Sequence, residues 1–193
     1  MNWNFLWGPQ TAGGAAALGG VCWMVKAGAI LVAGDQPPVL FEIGPLLFAL
    51  GVIGLAQMLP VPRSRLGLGA QILATGAGLA TLGSLVMTKG GTTASSEDDF
   101  SPLTFFGFIA SILALLLVGI ATRQQRALIS PWHLLPLALS ISFIPLIVIG
   151  GVLESINERL LELPLLILGL GWTLIGFSML ARRHSGSEHS LST

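Results

Sequence analysis

Residues 103–121, LTFFGFIASILALLLVGIA, form an apolar run that contains no charged side chain. A helix rises about 1.5 Å per residue, so about 20 apolar residues are enough to cross the hydrocarbon core of a bilayer. Strands of a transmembrane β-barrel instead alternate apolar and polar residues over about 10 positions. The run is longer and apolar throughout, and it therefore predicts a membrane-spanning helix.

Five further runs of the same kind lie on either side of it. The six predicted spans are 12–34, 39–59, 66–87, 103–121, 131–153 and 163–181. They occupy most of a chain that is only 9% charged, whereas soluble domains have roughly 25% charged residues. The sequence therefore predicts one all-α transmembrane domain over residues 1–193, with six helices in three consecutive hairpins. Residues 182–193 are predicted to form a polar cytoplasmic tail.

The connections between these spans alternate in charge, and this pattern predicts an orientation. Two of the five connections and the tail after the sixth span are basic through their arginines: Arg63, Arg65, Arg123, Arg126, Arg182 and Arg183. The other three are mainly acidic. Arginines near span ends stay on the cytoplasmic side, so both termini are predicted to be cytoplasmic. A cysteine at Ser95 should then react from outside intact cells while one in the tail does not, and equal labelling would contradict this orientation.

The three predicted hairpins share a pattern that has two interpretations. Pro45, Pro102 and Pro164 lie at or near the beginnings of the second, fourth and sixth spans and are 57 and 62 residues apart. Proline suits a first helical turn because its missing N–H has no partner there. The spacing is explained either by a threefold internal repeat or by the same turn and charge rules acting on each hairpin.

Small residues on two spans predict close helix packing. The third span carries Ala70, Ala74, Gly76, Gly78 and Ala80, and the first carries Ala16 and Gly20. In lipid, close backbone approach at small residues drives association. The third helix is therefore expected to be central or to meet a partner chain, while the fourth, rich in Phe and Leu, is expected to face lipid.

Lys26 is the one basic residue inside a predicted span. A charge near the middle of the bilayer costs roughly 3 kcal/mol on insertion scales. Glu42 lies early in the next span and could meet Lys26 across a tight hairpin. Two interpretations remain open. In one, Lys26 extends to the surface and Glu42 is stabilised by a helix N-terminus. In the other, they pair and line an outward-facing site for a proton or cation.

The remaining residues exclude several classes of function. The sequence has no HExxH or CxxC motif and no phosphate-binding loop, and its basic pairs are too sparse for nucleic acid. We therefore expect no enzymatic activity, metal site or cofactor. The favoured function is a non-enzymatic structural or accessory subunit of a membrane assembly. Its partners would be the lipid bilayer and other membrane subunits or a second copy of the chain.

The alternative function is a small transporter or an ion or proton pathway that uses the Lys26–Glu42 pair. In either case the bacterial inner membrane is the favoured location, since nothing in the sequence marks an organelle.

Overall fold

The computed structural model describes residues 8–34, 40–61, 64–90, 102–128 and 130–189. These ranges are almost wholly helical and contain no strand. Short 3-10 turns at Trp132–Leu134 and Glu158–Leu161 lead into the last two helices. The helices are α1 (Pro9–Ala33), α2 (Leu40–Gln57), α3 (Arg65–Gly90), α4 (Pro102–Gln125), α5 (Leu135–Glu154) and α6 (Glu162–His189).

The lengths and compositions of these helices fit a membrane protein. Five apolar stretches are long enough to cross a bilayer: Gln10–Ala33, Arg65–Met87, Phe105–Gln125, Trp132–Glu154 and Glu158–Ala181. The apolar part of α2, Ile43–Gln57, is shorter. The predicted all-α class is therefore confirmed for the described residues. The count of six spans and the orientation stay predictions.

The helices pack as a closed ring in chain order. Each helix contacts the next, and α6 returns to α1 in the most extensive helix–helix contact of the described bundle. The pair α5 and α6 is the least extensively packed pair of neighbours in this ring, and α2 also reaches across to α4. The interior is therefore bounded by the first and last helices on one side and by α2, α4 and α5 on the other.

The structure differs from the expectation of a central α3 and in part from that of a lipid-facing α4, whereas contact of α3 with a partner chain stays a prediction. α3 packs against α2 and α4 at the edge of the bundle, so it is not the central helix. α4 contacts α2, α3 and α5 and buries Ala114 and Val118 completely, although Phe105 and Phe106 remain exposed. Small residues permit close packing on one face of α3, but they do not require that both faces of the helix be packed. The larger side chains of α4 can instead fill the interior of the bundle. The α3 side chains on the opposite face are exposed, namely Leu68, Ile72, Leu79, Leu82 and Val86.

The end of α1 is held by the connection between α5 and α6. Gly34 ends the helix with φ +81°, a left-handed conformation that glycine adopts without steric cost. A Cβ atom at Gly34 would lie 2.7 Å from Nη2 of Arg159. This guanidinium therefore lies at the C-terminus of α1, where the helix dipole favours a positive charge. The Asn157 side chain accepts a hydrogen bond from the Arg159 N–H at 3.0 Å and begins the 3-10 turn.

Candidate functional site

Glycines bring the backbones of α1 and α6 into direct contact along what we call the α1–α6 seam. Its residues are Gly13 and Gly20 on α1 and Gly169 and Gly176 on α6. Seven residues are close to two helical turns, so each pair lies on one helix face. A Cβ atom at Gly169 would lie 2.7 Å from the Gly20 carbonyl oxygen, and one at Gly13 would lie 3.1 Å from the Gly176 carbonyl oxygen. The two helices therefore run antiparallel, and at these four glycines there is no room for a further side chain.

A buried ion pair extends this seam toward the end of α1. Lys26 Nζ donates to both carboxylate oxygens of Glu162, at 2.8 and 3.1 Å. The side chains are only 6% and 8% exposed. Lys26 lies seven residues before Ala33, about 10 Å along the helix at 1.5 Å per residue, and Glu162 is the first residue of α6. The pair therefore joins the interior of the first helix to the start of the last.

The carboxylate that pairs with Lys26 is that of Glu162. The sequence analysis placed Glu162 in the connection before the sixth span. Glu42 lies on α2, but its side chain is outside the part of the chain that the structure describes. Pairing of Lys26 with Glu42 therefore stays a prediction. Glu162 is separated from Lys26 by 136 positions, so no local spacing links them. The sequence feature that could have pointed to Glu162 is its position directly before the last apolar run, two residues ahead of Pro164.

The small residues predicted to pack on α3 fall into two groups. Ala70 and Ala74 are completely buried, and Ala80 is nearly so. A Cβ atom at Gly78 would touch α2 at 3.5 Å, whereas one at Gly76 would meet nothing within 4 Å. The structure therefore brings the three alanines and Gly78 to packed faces and leaves Gly76 on an open one.

On α1, Ala16 and Gly20 contact different neighbouring helices. Ala16 is completely buried, and a Cβ atom at Gly51 of α2 would lie 2.8 Å from the Ala16 Cβ atom. A Cβ atom at Gly20 would instead meet the backbone of Gly169 and Thr173 on α6. The small side of α1 therefore lets two helices approach it at once.

Aromatic side chains converge on the middle of the bundle around a small space that we call the aromatic cavity. Its volume is about 30 Å³. The Phe48 and Trp172 rings stack with centroids 4.4 Å apart, Trp23 meets Phe48 edge-on at 5.0 Å, and Phe108 meets Phe143 edge-on at 4.9 Å. All five rings line the cavity. Sequence reasoning missed this cluster because the rings come from five helices and share no spacing.

Hydroxyl groups in the interior bond mainly to the helices that carry them. Ser111, which lines the aromatic cavity, donates to the Gly107 carbonyl at 2.8 Å. Thr122 and Thr173 donate in the same way to carbonyls four residues earlier, at 2.6 and 2.9 Å. Such bonds satisfy the hydroxyl hydrogen without involving a neighbouring helix. The Lys26–Glu162 pair, by contrast, is a polar link between two different helices.

Apolar grooves between neighbouring helices lie on the surface of the part of the chain that the structure describes. The α5–α6 groove has a volume of about 430 Å³, and its walls include Leu146, Ile149, Ile167 and Leu170. A second groove between α1 and α2 has a volume of about 370 Å³ and ends near Gln57. Both volumes fall within the roughly 300–1,000 Å³ range of small-molecule sites.

The chemistry of the described site is that of packing and of the Lys26–Glu162 ion pair. Among the described residues no three His, Cys, Asp or Glu side chains are grouped so that they could hold a metal ion. Comparison of the chain with protein-family models, with curated proteins and with solved structures finds no match. The functional argument therefore depends on the geometry of the seam, the ion pair and the aromatic cavity.

Proposed function

We propose that this chain is a six-span protein of the bacterial inner membrane, with both termini cytoplasmic, that serves as a non-enzymatic structural or accessory subunit of a membrane assembly. The α1–α6 seam is the observation that carries this proposal. A carrier or gated pathway requires helices that separate. Here the first and last helices touch through their backbones and share a buried ion pair.

Opening this seam would be energetically unfavourable. Separation of Lys26 from Glu162 would break the pairing of two charges in a medium of low dielectric. Breaking a buried pair typically costs about 3–5 kcal/mol. It would also remove the close backbone contacts at Gly20 and Gly169. A bundle closed in this way suits a constant structural role better than a cycle of opening and closing.

Open glycines offer positions at which a partner helix could approach. A Cβ atom at Gly14 or Gly28 of α1, or at Gly76 of α3, would meet nothing within 4 Å. Because these glycines are not filled by packing within the chain, their backbones can be reached by another helix, and small residues favour such contacts in lipid. They support a subunit that binds a transmembrane partner.

Gentle purification from the native membrane followed by native mass spectrometry tests this proposal. We expect a different chain to copurify at fixed stoichiometry. Gly76→Leu should lower its amount several-fold, because the larger side chain fills the open face of α3. Gly151→Leu on α5 is the matched control, since a Cβ atom there also meets nothing within 4 Å. Recovery of this chain alone, or as a homo-oligomer only, would contradict the accessory-subunit proposal.

The second candidate function is an ion or proton pathway, and the burial of Lys26 and Glu162 favours it. Ionisable residues inside a membrane often mark such pathways. Flux through purified protein in vesicles separates the two candidates. Flux that is lost in a folded Lys26→Met variant would establish the pathway, whereas an accessory subunit has no flux to lose.

A further inference from the structure

We propose that exposed arginines at one end of the bundle bind the phosphate headgroup of an anionic membrane lipid. The site, which we call the arginine corner, consists of Arg65 at the start of α3 and of Arg123 and Arg126 around the end of α4. All three side chains are exposed. The inference rests on the proposed membrane location, but it requires neither of the two candidate functions.

The Gln125 side chain brings the arginines of the two helices to one corner. Its Oε1 atom accepts a hydrogen bond from the Val61 N–H at 2.9 Å, and its Nε2 atom donates to Ser64 Oγ at 3.5 Å. Arg65 directly follows Ser64, and Arg126 directly follows Gln125. Each of the two arginines is therefore one residue away from a contact that joins the α2–α3 turn to α4, and one headgroup can reach both.

Arg126 ends α4 in a backbone conformation that usually requires glycine. Its φ is +50°, and the Ala127 N–H donates to the Thr122 carbonyl at 3.2 Å, as is typical of a helix that ends in a left-handed residue. Glycine is common there because it has no Cβ atom. The helix dipole favours a positive charge at this end, but Arg123 already supplies one in the last turn. A second arginine at the cost of backbone strain indicates a use for its guanidinium.

The described part of the chain offers these arginines no carboxylate. Its described acidic side chains, Glu154, Glu158 and Glu162, lie between the end of α5 and the start of α6. A Cβ atom at Gly119 would lie 2.7 Å from the Leu137 amide nitrogen, so the start of α5 adjoins the end of α4 and the three glutamates lie at the opposite end. A group of unneutralised positive charges attracts anions, and guanidiniums bind phosphate through paired hydrogen bonds.

The surroundings of the arginine corner favour a lipid over a soluble anion. Leu68 and Ile72 follow Arg65 by three and seven residues on the same face of α3, and both are exposed. Trp132 is also exposed, on the 3-10 turn that contacts α4, and tryptophan is enriched at the depth of the headgroups. A phosphate at the corner therefore has an apolar surface beside it on which acyl chains can lie. Basic pockets between membrane-spanning helices bind anionic headgroups in this way.

Native mass spectrometry of the delipidated full chain in a nonionic detergent tests the proposal. The probes are phosphatidylglycerol and phosphatidylcholine with identical acyl chains. We expect the first phosphatidylglycerol molecule to bind at least tenfold more tightly than the first phosphatidylcholine molecule, and equal affinity would overturn the proposal. Displacement of the bound lipid by an equal concentration of inorganic phosphate would overturn the assignment to a lipid, because the corner would then bind a soluble anion.

Substitutions that each remove one charge test where the lipid binds. Arg65→Gln and Arg126→Gln should each weaken phosphatidylglycerol binding at least threefold, because each removes a guanidinium from the corner. Arg159→Gln is the matched control, since it removes the same charge from an exposed arginine at the opposite end. Equal losses in the three variants would overturn the assignment, because net charge alone would then decide the affinity.

Gln125→Leu tests the geometry of the corner without changing any charge. It should weaken phosphatidylglycerol binding several-fold, because it removes the hydrogen bonds that hold the α2–α3 turn beside α4. Gln124→Leu is the matched control, since Gln124 is the exposed neighbour on the same helix end. Equal affinity in the two variants would overturn the arrangement proposed here. Because every charge stays in place, this pair keeps the proposal falsifiable if an arginine variant fails to fold.

Discussion

Gly20→Ala is expected to destabilise the folded bundle by about 2–3 kcal/mol, near the upper end of the usual cost of overpacking a core. A Cβ atom at Gly20 would lie 2.6 Å from the Thr173 amide nitrogen, and it would also meet the Gly169 carbonyl oxygen and the Thr173 hydroxyl. Two of these three atoms belong to the backbone, so they cannot move aside as a flexible side chain would. The measurement is reversible unfolding in mixed micelles of increasing SDS fraction.

Gly14→Ala provides the control for this prediction on the same helix. A Cβ atom at Gly14 would meet nothing within 4 Å, and alanine favours a helix over glycine by about 1 kcal/mol in water. The control should therefore unfold at the same SDS fraction as the unmodified protein or at a slightly higher one. If Gly14→Ala and Gly20→Ala shift the transition equally, α1 and α6 are not in backbone contact at Gly20.

Lys26→Met and Glu162→Gln are each expected to lower the free energy of unfolding by about 3–5 kcal/mol. Each substitution removes one member of a buried pair and leaves the other away from water, at side-chain exposures of 6% and 8%. The Lys26→Met/Glu162→Gln double variant should cost much less than the sum, because it leaves neither of these two charges in the seam. The same SDS titration measures all three variants.

A double-mutant cycle isolates the coupling between the two side chains. We expect a coupling of at least about 1 kcal/mol, within the range of roughly 0.5–3 kcal/mol seen for residues in direct contact. Glu158→Gln is the control, because Glu158 is exposed on the preceding 3-10 turn and surface changes usually stay within about 0.5 kcal/mol. Additive losses at Lys26 and Glu162 would show that the two side chains are not energetically coupled.

The sequence predicted the helices but not their arrangement in the bundle. Apolar runs define helices directly, because length and composition decide which segments can enter a bilayer. Small residues on α3 showed that a close face exists, and Ala70 and Ala74 are indeed buried. They could not show how many neighbours α3 has, since that depends on where α4 lies. For this reason the sequence did not predict that α3 lies at the edge of the bundle and that α4 packs against α2, α3 and α5.

The candidate site was less accessible to sequence reasoning than the fold. Lys26 was a candidate site residue because a charged side chain inside a membrane span costs free energy. Its contact with Glu162 depends on the return of α6 to α1, which no local pattern contains. The cavity rings Phe48 and Trp172 stack across the bundle, and each alone is an ordinary apolar residue in an apolar run. Contacts between distant helices require the three-dimensional arrangement.

The closure of the ring by its first and last helices has a consequence for biosynthesis. At about 5–20 residues per second, the 136 positions between Lys26 and Glu162 take roughly 7–27 s to translate. α1 therefore enters the bilayer and stays there while the carboxylate that will face its lysine has not yet been made. The bundle reaches its final electrostatic balance only after α6 has been made, so insertion of this helix and completion of the ion pair are one event.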